Sequence, residues 1–278
     1  MKNRIQKLFE NKSGHILSIY FCAGCPTLEN TTRVIRALAQ NGVDMIEIGI
    51  PFSDPMADGI VIQEAATQAL RNGMTLHLLF EQLKDIRQDV HIPLILMGYL
   101  NPIMQFGFEA FCRKCTECGI DGVIIPDLPF REYEENYKTT ADSYGIRIIM
   151  LITPETSEAR IREIDAHTDG FIYMVSSAAT TGAQKDFDKA KQDYFRKVQA
   201  MNLRNPRMIG FGISNRQTFE AACANAAGAI IGSRFVSLLN EKQGDAGAAI
   251  RTLKEEIGEI PHQPNRDSPA ASYHSVER

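Results

Sequence analysis

Asp44-Met45-Ile46-Glu47-Ile48-Gly49-Ile50 is a strand-length run with one residue that does not fit an ordinary core. Isoleucine at 46, 48 and 50 recurs with period two, the spacing that puts side chains on one face of a β-strand. Glu47 falls on the opposite face. Helical stretches flank the run. Upstream, Val34, Ile35 and Leu38 recur at helical spacing after a cap expected at Thr27, and Asn41-Gly42 stops that helix. Downstream, 60–72 is helical and closes at Gly73, and Thr75 reads as the N-cap of a further helix carrying Leu78, Leu79, Leu83 and Ile86.

Working outward, the same unit repeats. Strands are expected at 16–21, 44–50, 93–97, 122–125, 147–152, 170–175, 207–211 and 228–231. Helices are expected between them at 105–118, 131–144, 157–166, 187–200 and 215–225, with a last one at 244–257. Ser214-Asn-Arg-Gln217 fits a capping box. Strict strand–helix alternation is the pattern of parallel βαβ units. Eight such units favour a closed (β/α)8 TIM barrel, an α/β fold, over an open doubly wound sheet. The expectation is one catalytic domain over 1–258, with an extra N-terminal helix (Ile5, Leu8, Phe9) and short inserted helices. The polar, proline-bearing stretch 259–278 is expected to be a disordered tail.

Composition agrees with a globular enzyme. Of 278 residues, 44% are hydrophobic and 23% charged, and the formal charge is −4, so no general basic field attracts nucleic acid or anionic membrane. No run approaches the ~20 apolar residues that span a bilayer, and the N-terminus lacks a secretory signal; the expected location is cytoplasmic. Six cysteines include Cys22-x-x-Cys25 and Cys112-x-x-Cys115-x-x-Cys118. A ferredoxin-type cluster needs a fourth cysteine soon after Cys118, where Gly119 stands instead. Reduced thiols along a surface helix are the expected reading.

In a barrel the chemistry lies at the C-terminal strand ends. Glu47 points into the interior there, where burial raises a carboxyl's pKa and suits it to proton transfer. The bland alternative is an internal ion pair, and the strand-borne base to weigh is Arg147, which sits at the wrong, N-terminal end of its strand. The following loop, 51–59, holds Asp58, either an N-cap for the helix at Ile60 or a second carboxylate aimed at the same mouth. Glycine-bearing turns follow the last three strands: Thr181-Gly182, Gly210-Phe-Gly212 and Gly232-Ser233. Such turns let backbone N–H groups approach phosphate oxygens. The six histidines form no ligand set at strand ends, so no metal is expected.

The segment Glu47-Ile-Gly-Ile-Pro-Phe-Ser-Asp-Pro-Met-Ala-Asp-Gly59 closely resembles the signature of the tryptophan synthase alpha family. Tyr20-Phe-Cys-Ala-Gly-Cys-Pro26, Met97-Gly-Tyr-Leu-Asn101, Pro126-Asp-Leu-Pro129, Gly210-Phe-Gly-Ile-Ser214 and Gly228-Ala-Ile-Ile-Gly-Ser233 agree in order. The resemblance implies retro-aldol cleavage of indole-3-glycerol phosphate to indole and glyceraldehyde 3-phosphate. It implies Glu47 as the acid/base residue and Asp58 as the partner of the indole N–H. Gly182, Gly212, Gly232 and Ser233 match the phosphate site, Tyr20, Tyr99, Tyr173 and Phe211 the indole pocket, and Thr181 a mobile loop. It further implies no cofactor in this chain and a PLP-dependent beta subunit as partner in an alpha2beta2 heterotetramer, with loop 51–59 and the region of Asn101 at the contact. A stand-alone lyase independent of a beta subunit is the alternative reading. Three positions depart from the family pattern: Cys25 replaces an aspartate, the loop 176–182 lacks an arginine, and Arg234 follows the phosphate-site serine.

Overall fold

In the computed structural model, residues 3–176 and 189–258 are described. Nine parallel strands form the sheet: β1 (Ile16–Cys22), β2 (Met45–Gly49), β3 (Leu94–Met97), β4 (Gly122–Ile124), β5 (Arg147–Ile149), β6 (Leu151–Ile152), β7 (Ile172–Val175), β8 (Arg207–Gly210) and β9 (Gly228–Ile231). Their order is β5-β4-β3-β2-β1-β9-β8-β7-β6. The two edge strands are halves of one stave, separated only by Met150. β5 pairs with β4 and β6 with β7, and the Met150 carbonyl accepts from the Tyr173 N–H at 3.0 Å. The ring therefore closes as a barrel of eight staves. The stave expected at 147–152 is divided because it leaves one neighbour before taking up the other, as the stagger of a closed barrel requires.

Period-two alternation sorts each strand between two cores. Met45, Ile95, Met97, Ile124, Ile149, Phe171, Tyr173, Met208 and Ile230 fill the interior. Leu17, Ile19, Phe21, Ile46, Ile48, Leu94, Leu96, Ile172, Met174 and Ile209 face the helices. Interior packing continues below the strands into helix Arg4–Asn11, whose Ile5 is fully buried and joins the inner core. Phe9 of that helix meets Phe171 with ring centroids 6.0 Å apart.

Several local expectations shift. The helix expected at 105–118 breaks at Gly107 (φ +90°) into Leu100–Phe106 and Phe108–Glu117. Within the latter Cys112 and Cys115 are one turn apart and, with Phe111, form its buried face. The helix lies on the outside of the barrel, but its thiols point inward. Burial pushes the Cys118 thiol up to about 11, and all six cysteines are free. The capping box starts one residue later than expected, at Asn215 with Thr218 rather than at Ser214 with Gln217. Glu29, not Thr27, precedes helix Asn30–Gln40, whereas Thr75 caps Leu76–Leu83 as expected, accepting from the Leu78 N–H. Arg207 joins Arg147 as a basic residue opening a strand. Both stand at N-terminal strand ends, away from Glu47's end of the barrel.

Candidate active site

β2 places Glu47 opposite Tyr20 on β1 and Ile95 on β3, and its side chain is fully buried. Oε1 accepts from the Ser18 hydroxyl at 3.1 Å. Oε2 is buried with no hydrogen-bond partner. Desolvation pushes the carboxyl up to about 8, and the bond from Ser18 opposes the shift. The ion-pair alternative fails here, because none of the ion pairs among the described residues involves Glu47.

Two glycines make room for the phenols beside it. A Cβ on Gly49 would collide with the Tyr20 hydroxyl, and one on Gly210 would collide with the Tyr173 hydroxyl. Both rings thereby lean across a neighbouring strand toward the C-terminal strand ends, and burial raises both phenols well above their ordinary range. Phe211, next along the chain, holds a left-handed φ of +68°, a strained conformation for a bulky residue. Its carbonyl accepts from the Ser176 hydroxyl at 2.8 Å, and its ring lies 5.9 Å from Tyr173.

Asp58 does not cap the next helix. Gly59 is the N-cap of Ile60–Arg71, and the Asp58 carboxylate instead accepts from the Tyr99 hydroxyl at 3.0 Å. That hydroxyl in turn accepts from the Ala57 N–H at 3.0 Å, so one phenol fixes the loop and its acid together. Burial raises the Asp58 carboxyl above its ordinary range, while the Tyr99 bond lowers it.

A cavity of about 470 Å³, open to solvent, brings these parts together. Asp58, Tyr20, Tyr173, Phe211, Gly212, Gly232 and Ser233 line it together. Glu47 stands behind Tyr20 and Tyr173, not on the wall itself, and both phenols feel its charge. Tyr99 is not among the lining residues; its hydroxyl donates to Asp58. Thr181 and Gly182 lie outside the described residues, as does the tail from 259. Ile62, Met97, Ile213 and Ile230 complete the apolar wall. Strand alternation carries a signal for Met97 and Ile230, which share their strands' inward faces with Ile95 and Gly228. No simple signal marks Ser18.

Gly232 and Ser233 open helix Ser233–Glu241, whose first N–H groups have no partner within the helix. With Gly212 they offer an anion-binding end to the cavity. Arg234 also borders it, but its guanidinium is held by Glu256 and, at 3.1 Å, by Glu241. It is therefore committed to the helical layer. The turn at Cys25 is held by neighbours. Asn72 Nδ2 donates to the Gly24 and Pro26 carbonyls at 2.8 and 2.9 Å, and Gly24 N–H donates to Thr31 at 3.1 Å. Among the described residues no helix is long and apolar enough to cross a membrane, and no cluster of His, Cys, Asp or Glu could hold a metal ion.

Comparisons with known proteins converge. A family profile described as "Tryptophan synthase alpha chain" matches residues 6–263. A tryptophan synthase alpha chain from Bacteroides fragilis is 72% identical over 249 residues, 90% of this chain and 95% of that protein. One from Bacteroides thetaiotaomicron is 71% identical over 255 residues, 92% and 99% of the two chains. Among solved structures, the alpha chain from Legionella pneumophila superposes with a TM-score of 0.80 at 31% identity, covering 92% of this chain and 98% of that one. A chain of the tryptophan synthase complex from Pyrococcus furiosus gives 0.78 at 33% identity, covering 90% and 98%.

Proposed function

The chain belongs to the tryptophan synthase alpha chain family, and from that premise we propose how its site cleaves indole-3-glycerol phosphate to indole and glyceraldehyde 3-phosphate, the reaction of that family. Protonated Glu47 donates to indole C3, which breaks the ring's aromaticity and leaves positive charge at the ring nitrogen. Asp58 accepts a hydrogen bond from the ring N–H and stabilises that charge. Glu47, now a carboxylate, takes the proton of the side-chain hydroxyl on the carbon bonded to C3. The carbonyl forms, the C3–carbon bond breaks, and its electron pair returns to the indole ring. Glu47 ends protonated as it began, so the cycle balances without a cofactor. Gly212, Gly232 and Ser233 hold the phosphate, with Gly182 and the Thr181 loop added from the family pattern. Tyr20, Tyr173 and Phe211 flank the indole.

The observation that carries this reading is the buried Glu47 carboxyl, paired with no cation among the described residues and with one oxygen unpartnered behind the Tyr20 and Tyr173 wall of the cavity. A group poised near neutrality can give and take a proton at comparable cost. The test follows indole release from indole-3-glycerol phosphate. Glu47→Gln and Asp58→Asn should each lose about 10²–10⁴-fold in kcat, and a Glu47→Gln variant as fast as wild type would remove the acid/base assignment.

The same reading makes this a cytoplasmic subunit that passes indole to a PLP-dependent beta subunit within an alpha2beta2 assembly. The similar Pyrococcus furiosus chain was solved as part of a tryptophan synthase complex. Met56 in the active-site loop and Ile60 just after it are 79% and 72% exposed, and Met104 on helix Leu100–Phe106 is 47% exposed. Apolar surface of this kind is what a partner covers. Adding beta subunit should raise the indole-forming rate, and Met56→Asp should weaken that response while leaving the rate without partner unchanged.

A further inference from the structure

We propose that Ser18 is a positioning residue for the reaction: its hydroxyl fixes Oε1 of Glu47 so that Oε2 is the oxygen left free to meet substrate. The inference rests on the assignment of Glu47 above and deepens it.

Ser18 is fully buried, one of few polar side chains inside the barrel. It lies on β1, two residues before Tyr20, so both point inward. Tyr20 borders the cavity and Ser18 does not. Ser18 stands level with Met45, one inward-facing layer below Glu47, so its hydroxyl reaches the carboxyl from the N-terminal side, at 3.1 Å. A glutamate has three rotatable bonds, and nothing else among the described residues donates a hydrogen bond to its carboxyl. Without Ser18 the two oxygens are equivalent and the side chain loses its anchor. With Ser18, one oxygen is pinned and the other is presented bare.

The surroundings isolate this effect. β1 contributes Tyr20 and β7 contributes Tyr173, both electrostatic neighbours of Glu47 and both kept un-ionised by burial. Asp58 enters from the loop after β2 and is a further neighbour of both phenols. β3 supplies Ile95 and Met97, which carry no charge. A hydroxyl donating to a carboxylate stabilises the ionised form, and here it is the hydrogen bond that opposes desolvation.

The experiment titrates the Glu47 carboxyl by ¹³C NMR in substrate-free protein labelled at glutamate, with the resonance assigned through Glu47→Gln. Ser18→Ala removes one oxygen from the core and should raise the midpoint by about one pH unit, the size of a hydrogen bond to a charged group. Ser18→Thr and Ser18→Val have nearly the same shape and differ in the hydroxyl. The Thr variant should titrate below the Val variant by a similar margin. In steady state, Ser18→Ala should lower kcat about tenfold through misplacement of the acid, leave KM unchanged, and be largely rescued by Thr. An unmoved midpoint in Ser18→Ala, or equal midpoints for Thr and Val, would overturn the proposal. The titration needs no turnover, so a fully active Glu47→Gln would defeat the catalytic assignment while leaving the Ser18 result to be read separately.

Discussion

Asp121 and Glu47 are carboxylates buried in the same barrel, 3% and 0% exposed, yet they are treated in opposite ways. Asp121 is saturated. Its Oδ1 accepts from Arg4 at 3.1 Å, and its Oδ2 accepts from Arg87 at 2.6 Å and from the Leu94 N–H at 3.0 Å. Those bonds tie helix Arg4–Asn11 to the N-terminal ends of β3 and β4. Glu47, nearer the other strand ends, has among the described residues one hydroxyl donor and no cation, and its second oxygen is bare. Burying a charge is tolerable when it is paired and costly when it is not. The bottom of the barrel uses its acid for attachment, whereas the mouth leaves its acid unsatisfied and therefore reactive.

Removing each acid should break the molecule in a different way. Glu47→Gln, besides losing activity, should melt higher than wild type, and the sign follows from its raised pKa. A carboxyl held at about 8 against an ordinary 4.5 lets the unfolded chain release its proton first. Glu47 therefore costs folded stability increasingly as pH rises from about 4.5 to about 8, and below that window the cost vanishes. The melting-temperature gain of Glu47→Gln should be small at pH 4 and full above pH 8, as calorimetry across that range would register. Asp121→Ala should do the reverse. It strands Arg87 among buried groups and should cost about 3–5 kcal/mol by urea unfolding, while turnover per folded molecule is retained.

Smaller effects sharpen the contrast. If Glu47 enters the cycle as an acid, kcat/KM should fall as pH rises through about 8; a rise through that pH would mean that the ionised form starts the reaction. Tyr99→Phe removes the donor that fixes Asp58 and should lower kcat/KM about tenfold through the loosened loop, measurable in the indole assay. Arg4→Ala should cost the least, below about 1 kcal/mol, because its half of the pair with Asp121 is 39% exposed.

Much of this is legible in the sequence. Alternation of Ile46, Glu47 and Ile48 sent the acid inward, and the structure agrees. Repeated strand–helix units led to a closed barrel, and the pairing of β5 with β4 and β6 with β7 closes it. Local patterns failed where partners far away in sequence decide. The break at Met150 depends on hydrogen bonds to two different neighbours, which no window of sequence contains. Asp58 reads locally as either a cap or a second carboxylate, and what decides against the cap is a tyrosine 41 residues on. Tyr99 resembled pocket lining, but its place at the family position does not say which way its hydroxyl is used. Cys112 and Cys115 read as surface thiols until the packing of their helix gave that turn an inner face. Ser18 was unreadable, since a small polar residue within a strand carries no pattern of its own.

The mechanism depends most on Glu47 being predominantly protonated at neutral pH. A ¹³C titration of that carboxyl in the wild-type protein, free of substrate and partner, measures this directly. A midpoint near 8 is the expected result; a midpoint near the ordinary 4.5 would mean that the carboxyl is solvated or paired in solution, and would contradict the mechanism.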